Sequence, residues 1–301
     1  MALTLSIPGF SAENQIGFET WMERVIELAD GVRKDWSPAA VHDLRVALRR
    51  CRTMADALNE IAPGAGWRRV KKESRELFDA LGELRDAQVE RAWVRRLVPS
   101  GDAVRKHMLR LLSRQERKRG AEAARALDRF DAKIWRKLAR KLQSKSEEFP
   151  LESVVFQRLA LERLVEAVAL CQRARKGRSR IAWHRLRIGL KRFRYIVENF
   201  LPQRYRTWAP ELKRMQDLLG EVHDLDVLRA EIRHRCGGFE EDAVAAWLRR
   251  IEKERAARLE EFRALGSQPN AAWQAWRAGL PFGHAAKASP TPERAMAASA
   301  G

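Results

Sequence analysis

Two rows of cationic side chains recur in the sequence with identical spacing. The first row consists of His42, Arg45, Arg49 and Arg52, and the second of His184, Arg187, Lys191 and Arg194. Because a helix turns about 100° per residue, each row falls within an arc of about 80° and extends about 15 Å along one helix face. Arg binds phosphate oxygens through a planar fork, and Lys adds a mobile point charge. Such rows therefore suit a linear polyanion with regularly spaced charges.

The imidazoles in these rows are open to more than one interpretation. A His beside phosphates is favoured in its protonated form and adds hydrogen-bond donors near neutral pH. A partly buried structural imidazole is the main alternative for His42 and His184. A metal site is a weaker alternative, because the spacing places an Arg, and not a second ligand, one turn further along.

A second motif also occurs twice, as LGELRDAQV at 81–89 and LGEVHDLDV at 219–227. A glycine in the middle of a helix costs about 1 kcal/mol against Ala, so Gly82 and Gly220 predict a close approach of the backbone to another helix or to a ligand, with helix crossing favoured. The two copies differ at Arg85 and His223, and we leave this position out of the predicted ligand set. The aspartates that follow, Asp86 and Asp224, are predicted to orient a neighbouring Arg or His, with metal ligation as the alternative.

The overall charge limits the kind of partner. The 301 residues include 59 Lys and Arg against 40 Asp and Glu, for a net charge of +19. This excess predicts a polyanion: nucleic acid, an anionic membrane surface or a chain of phosphates. The three cysteines, none in a CxxC pair, are expected to be packing residues in a reducing compartment. The chain has neither a signal-peptide pattern nor an apolar run of bilayer length, so we expect a cytoplasmic protein that does not enter membranes.

Helical periodicity dominates the whole chain, whereas strand and hairpin signals are nearly absent, so we predict an all-α protein. Breakers at Ser37-Pro38, 62–66, 98–102, 147–150 and further along define the helices. They are expected near 12–33, 38–61, 67–97, 102–145, 152–175, 180–200, 208–234 and 239–265, followed by a short Trp-rich piece at 271–280 that caps the second half. The predicted helix 102–145 is itself basic, and a solvated surface is the favoured interpretation of its IWRKLARKLQSK run.

Because both motifs recur in the same order, we predict an internal duplication and two four-helix bundles related by a pseudo-two-fold axis. The predicted organisation is an N-terminal segment 1–11, a helical domain 12–283 and a disordered tail 284–301. Within the helical domain the first half covers 12–148 and the second covers 149–283.

With both motifs present twice, the chain resembles the CHAD domain, a family of α-helical domains named for their histidines, over about residues 10–265. The resemblance implies two four-helix bundles around a basic central cavity that binds inorganic polyphosphate. Many relatives carry a CYTH triphosphate-tunnel domain, for which we find no residues here, so no triphosphatase activity is implied. The positions that the resemblance assigns to polyphosphate are His42, Arg45, Arg49, Arg52, Arg75, His184, Arg187, Lys191, Arg194 and Lys213, with Arg50, Lys71, Lys72 and Arg192 as secondary candidates.

We therefore expect a polyphosphate-binding module that needs no cofactor, is not an enzyme and has a role in polyphosphate-granule association or regulation. No Walker loop, nucleophile–base pair or carboxylate cluster with metal spacing appears in the sequence. A nucleic-acid-binding protein is the first alternative, although no helix-turn-helix, RRM or aromatic stacking platform is recognisable. A metal-dependent phosphohydrolase that uses the histidines is the second.

Overall fold

The computed structural model describes residues 17–177, 179–265 and 271–281. These residues form helices and no β-strand, which confirms the all-α prediction. The helices are α1 (Phe18–Lys34), α2 (Pro38–Ile61), α3 (Ala65–Leu97), α4 (Ala103–Arg129), α5 (Ala132–Glu147), α6 (Val154–Lys176), α7 (Arg180–Phe200), α8 (Pro202–Arg235), α9 (Glu241–Leu265) and α10 (Ala271–Ala278).

The prediction of one long helix over 102–145 is wrong, because the chain breaks between α4 and α5. At the break Phe130 is buried and packs against Trp135, with ring centroids 5.5 Å apart. Asp131 then caps α5, and its carboxylate accepts hydrogen bonds from the backbone N–H of Lys133 at 2.8 Å and of Ile134 at 2.9 Å. Asp is a preferred N-cap residue, so the signal for this helix start was present in the sequence.

Other helix boundaries differ by a few residues. Helix α8 begins at Pro202, six positions earlier than predicted, because proline is favoured in the first helical turn. The Trp-rich piece is itself a helix, α10, and packs against α6 and α8. The start of the predicted first helix at 12–16, the N-terminal segment 1–11 and the tail 284–301 lie outside the described residues.

Helix packing brings the two row-bearing helices together. Along the chain α1 packs on α2, α2 on α3 and α3 on α4, with α5 against α1 and α3. In the later part α6 packs on α7, α7 on α8 and α8 on α9, with α10 against α6 and α8. The two sets meet where α2 contacts α7 and α3 contacts α8. The internal duplication stays a prediction.

The hydrophobic core crosses the predicted midpoint. Its main cluster draws buried side chains from α1, α2 and α3 as well as from α6, α7 and α8. A second cluster joins the C-terminal ends of α3 and α8 to α4 and α9 around Trp93, Met108 and Trp247. The three cysteines are buried and make no disulfide. Among the helices described here, none combines the length and the apolar character needed to span a bilayer.

Candidate polyanion-binding site

Capping and an apolar stripe fix the orientation of both row-bearing helices. In α2 the Ser37 hydroxyl accepts from the Ala40 backbone N–H at 3.3 Å, and in α7 the Ser179 hydroxyl accepts from the Ala182 N–H at the same distance. The buried stripe next to each row consists of Leu44, Leu48 and Cys51 in α2 and of Leu186, Leu190 and Phe193 in α7. The cationic rows lie next to these stripes, and their members contact α3, α7 and α8.

Cations from the two rows share one aromatic ring at the junction between α2 and α7. The Arg49 guanidinium carbon lies 5.3 Å from the centroid of the Tyr195 ring, and the Lys191 Nζ lies 5.9 Å from the same centroid. A cation within about 6 Å of a ring face is attracted by the ring quadrupole. Tyr195 therefore places a charge from α2 and a charge from α7 in one small volume.

Arg45 lies beside this pair and lacks a partner for part of its side chain. Its guanidinium carbon is 5.0 Å from the Phe78 ring centroid, and its Nε is buried without a hydrogen-bond partner in the described structure. Burial, together with the charge of Arg49, lowers the pKa of Arg45. The backbone of Gly82 is close by, because a Cβ at this position would lie 3.7 Å from Nη2 of Arg45. A buried N–H without a partner is unfavourable, and an anionic acceptor beside it would lower that cost.

The electrostatic consequence is largest at Lys191. Burial and then the positive charges of Arg187, Arg49 and Arg45 lower the pKa of Lys191 to about 8 from its ordinary 10.5. Charges from both rows therefore act on the single ammonium group of Lys191. No ion pair among the described residues includes Lys191, Arg187, Arg49 or Arg45.

The histidine of the second row has an imidazole neighbour that sequence reasoning set aside. Nδ1 of His184 lies 3.3 Å from Nδ1 of His223, and the two ring centroids are 4.9 Å apart. Burial, followed by the charges of Arg187, His184 and Lys191, lowers the pKa of His223 to about 4. His223 is therefore neutral at pH 7 in the protein without a ligand.

In the first row, His42 is influenced by Arg85, which occupies the position in the second motif that corresponds to His223. Burial and then the charge of Arg85 lower the pKa of His42, and Arg49 and Arg45 contribute further, against the opposing effect of Asp43. Arg85 therefore acts on His42 and Arg45 electrostatically and His223 contacts His184, although their mismatch removed both from the predicted set. We use the term central cationic cluster for His42, Arg45, Arg49, Arg85, His184, Arg187, Lys191 and His223.

Two aspartates of the second motif border this cluster. Burial raises the pKa of Asp224 to about 6, against the lowering effects of Arg187 and of a hydrogen bond from Trp93. Asp86 acts on Arg45, Lys191 and Asp224 electrostatically, raising the pKa of each. Neither aspartate forms an ion pair with the cluster among the described residues. In the same part of the chain no group of three or more His, Cys, Asp and Glu side chains is placed to hold a metal ion.

Two predicted arginines are held by a carboxylate on α7. Arg50 forms an ion pair and a hydrogen bond with Glu198 and lies 4.4 Å from the Trp21 ring centroid. Arg194 pairs with the same Glu198 at 3.3 Å and donates to the Gln216 side chain at 2.8 Å. Because the Glu198 side chain is only 6% exposed, both guanidinium groups are committed within the protein.

Arg52 is committed in a similar way on the other side. Its Nη1 donates to the Lys71 backbone carbonyl at 2.8 Å and to the Ser74 hydroxyl at 3.0 Å, and its guanidinium carbon lies 4.6 Å from the Phe78 ring centroid. These bonds tie α2 to α3. Arg50, Arg52 and Arg194 therefore support the cluster from its edge.

The remaining predicted residues point away from the junction. Three of them form ion pairs at the surface: Lys71 with Asp56 at 2.8 Å, Arg75 with Asp79 at 3.7 Å and Arg192 with Glu166 at 3.3 Å. Lys72 lies with Arg75 in an open groove of about 460 Å³ on α3. Lys213 lines a separate groove of about 540 Å³ that also contains Arg96, Arg214 and Arg258 together with three carboxylates.

The aromatic supports of the cluster are the residues that sequence reasoning missed. The chain contains only two tyrosines, and both contact row residues: Tyr195 lies beside Arg49 and Lys191, and the Tyr205 hydroxyl accepts from Arg194 at 3.4 Å. Tyr195 follows Lys191 by one turn on α7, so its position next to the row was available from helical spacing. Its contact with Arg49 depends on how α2 packs against α7.

A match to a known protein family agrees with this arrangement. The family model described as the CHAD domain matches residues 19–233, and the chain belongs to this family. The crystal structure of the CHAD domain from the plant Ricinus communis is similar to this chain, with a TM-score of 0.58, 22% identity and coverage of 87% of this chain and 88% of that one. PptA from Streptomyces chartreusis is also similar, with a TM-score of 0.62, 17% identity and coverage of 86% and 97%. At these identities the two structures support the fold alone. No curated protein matches the sequence.

Proposed function

We propose that this protein binds inorganic polyphosphate at the central cationic cluster, as a binding module without catalytic activity, in polyphosphate-granule association or regulation. The observation that carries the proposal is the position of Arg49 and Lys191, which face one Tyr195 ring from opposite helices. Family membership supports it, because CHAD domains are expected to bind polyphosphate in a basic cavity.

The charges of the cluster favour neutralisation by a bound anion, because the carboxylates of the described residues form no ion pairs with them. Cations that are held together without ion pairs to carboxylates repel one another, and that repulsion is strongest where water is partly excluded. A chain of phosphates would relieve it at several positions at once. The guanidinium groups of Arg45 and Arg49 lie over the rings of Phe78 and Tyr195, and we expect their N–H groups to donate to phosphate oxygens.

Replacing the four innermost cations tests the proposal. We expect Arg45→Ala, Arg49→Ala, Arg187→Ala and Lys191→Ala, combined in one variant, to lower the affinity for long-chain polyphosphate by about 100-fold or more, because each charge-assisted hydrogen bond contributes about 1.5–3 kcal/mol. Affinity is measured by isothermal titration calorimetry at fixed salt, and circular dichroism checks that helicity is retained.

A matched control distinguishes the loss of a specific binding site from a general loss of positive charge. The variant Arg24→Ala, Arg69→Ala, Arg158→Ala and Lys253→Ala also removes three Arg and one Lys, all from exposed surface positions. We expect this control to bind nearly as well as the unaltered protein. Equal losses in the two variants would contradict the proposal.

Two other experimental results would contradict the proposal and favour a different function. Displacement of bound polyphosphate by duplex DNA at equal phosphate concentration would favour a nucleic-acid-binding protein. Release of orthophosphate from polyphosphate in the presence of Mg²⁺ or Mn²⁺, abolished by His42→Ala, would favour a phosphohydrolase.

A further inference from the structure

Helix α5 carries a basic face that the central cationic cluster does not include. Its apolar face packs against α1 and α3 through Trp135, Leu138 and Leu142, and the Trp135 indole N–H donates to the Met22 carbonyl at 2.8 Å. The opposite face is exposed to solvent. Six basic residues of α5 are exposed: Lys133, Arg136, Lys137, Arg140, Lys141 and Lys145.

Helix α5 itself offers these six side chains little counter-charge. None of them takes part in an ion pair among the described residues, and the only acidic residue of α5 is Glu147 at its last position. Exposed arginines on other helices are paired one turn away: Arg24 with Glu27 and Arg69 with Glu73. The described surface therefore pairs some of its cations locally, whereas the cations of α5, like Lys118 on α4 and Lys253 on α9, form no ion pair.

The arrangement is unfavourable for the helix itself. Like charges three or four residues apart repel each other, as in the pairs Arg136 with Arg140 and Lys137 with Lys141. Lys133 in the first turn also opposes the positive end of the helix dipole.

We propose that the exposed face of α5 is a second polyphosphate-binding surface, which holds a stretch of a long chain whose other part occupies the central cationic cluster. This inference rests on the proposed function. An anionic membrane fits the surface less well, because the exposed positions of α5 carry only Lys, Arg, Ser and Glu and offer no aromatic or aliphatic side chain for insertion.

A second surface predicts a dependence on chain length. When one chain contacts two sites on the same protein, the second contact forms at a high effective concentration, and the overall affinity exceeds that of either site. Chains that extend from the cluster to α5 should therefore have a higher affinity than tripolyphosphate. The difference should exceed the one expected from the larger number of phosphates alone.

The test compares two triple variants with the same change in charge. In α5 the variant is Arg136→Gln, Lys137→Gln and Arg140→Gln, where Gln preserves helix propensity. The control is Arg249→Gln, Arg250→Gln and Lys253→Gln on α9, where the three residues are also exposed. Circular dichroism confirms that both variants fold.

We expect the α5 variant to lose about tenfold in affinity for long-chain polyphosphate and the control to lose less than about twofold. The steepness of the salt dependence should also fall in the α5 variant, by about 2 in the slope of log K against log salt, because three phosphate contacts are removed. Tripolyphosphate should bind both variants as it binds the unaltered protein.

Equal losses in the α5 variant and the control would overturn the inference. So would a selective loss of duplex DNA affinity in the α5 variant with polyphosphate affinity unchanged, which would assign the surface to nucleic acid. These results differ from a failure of the proposed function, in which the unaltered protein would bind neither long-chain polyphosphate nor tripolyphosphate.

Discussion

Lys191 illustrates how the central cationic cluster lowers the stability of the folded protein. Its ammonium group is largely withdrawn from water and lies near three arginines, so its charged form is disfavoured in the folded state. A site that retains such a group without a carboxylate partner gives up stability. Binding sites commonly hold groups in this way, because the ligand supplies the missing interaction.

Removing this charge should stabilise the protein without a ligand. We expect Lys191→Met to raise the free energy of unfolding at pH 7 by up to about 3 kcal/mol, because a pKa lowered to about 8 from 10.5 corresponds to about that penalty on the charged form. The penalty is present below pH 8 and disappears as the pH rises toward 10.5, because the folded state releases its proton first. Urea denaturation at pH 7 and at pH 10 measures both effects.

The control for this prediction is Arg192→Met, the next residue, which is exposed and paired with Glu166. It should change stability by less than about 1 kcal/mol. A Lys191→Met variant that is less stable than the unaltered protein at pH 7 would show that the ammonium group is not under repulsion.

His223 should link polyphosphate binding to pH. Its pKa of about 4 keeps it neutral in the free protein, and nearby phosphates favour its protonated form, so binding takes up a proton. Affinity should therefore rise as the pH falls from about 7.5 to about 5.5, by at most about tenfold per pH unit for each proton taken up. Calorimetric titrations across this range should show a shallower rise for His223→Gln.

His234 on the same helix provides the comparison, because it is exposed at the end of α8. His234→Gln should keep the pH dependence of the unaltered protein. The coupling would be ruled out if His223→Gln and the unaltered protein changed in parallel.

At the scale of the helix, local signals predicted some boundaries correctly and left others unresolved. The limits of α2 and α7, at 38–61 and 180–200, were predicted to the residue because Ser37-Pro38 and Ser179 provide strong start signals. The break between α4 and α5 was missed because it contains neither Pro nor Gly. Apolar residues recur at helical spacing both before and after Asp131, so the hydrophobic pattern alone does not show the break.

The repeated glycines have a different environment from the one predicted. A Cβ on Gly220 would meet nothing within 4 Å, and a Cβ on Gly82 would meet only the Arg45 side chain. Neither glycine lies at a close helix crossing, so the favoured sequence interpretation is wrong. Of the two, only Gly220 has open space at its Cβ position, whereas Gly82 lies within van der Waals distance of Arg45.

Gly220→Ala should consequently stabilise the free protein. Ala is favoured over Gly within a helix by about 1 kcal/mol, and the added methyl group meets no neighbour in the described structure. Thermal unfolding followed by circular dichroism measures the change, with Gly82→Ala as the companion variant. A loss of stability in Gly220→Ala would mean that the backbone there must approach another group closely.

At the scale of the whole molecule, the sequence predicted the rows but not which of their members remain unpaired. Helical spacing placed Arg49 and Arg52 on one face, and nothing local distinguishes them. The distinction arises from tertiary packing, because α3 offers a carbonyl and a hydroxyl to Arg52, whereas Arg49 meets the ring of Tyr195. Likewise the buried Glu198 neutralises Arg50 and Arg194 together, and this pairing depends on the contact between α2 and α7.

The net charge of +19 then acts at a longer range than the site. We expect this charge to concentrate polyanions around the protein, and the unpaired charges of the cluster to determine where polyphosphate binds. Affinity for polyphosphate should therefore fall steeply with salt, through the release of counterions from the chain.

A crystal structure of the protein with bound polyphosphate tests the central claim most directly. The account predicts phosphate oxygens within hydrogen-bond distance of both Arg49 and Lys191, with density for the chain continuing between α2 and α7. Phosphates bound only at outer surfaces, with neither of these side chains in contact, would contradict it.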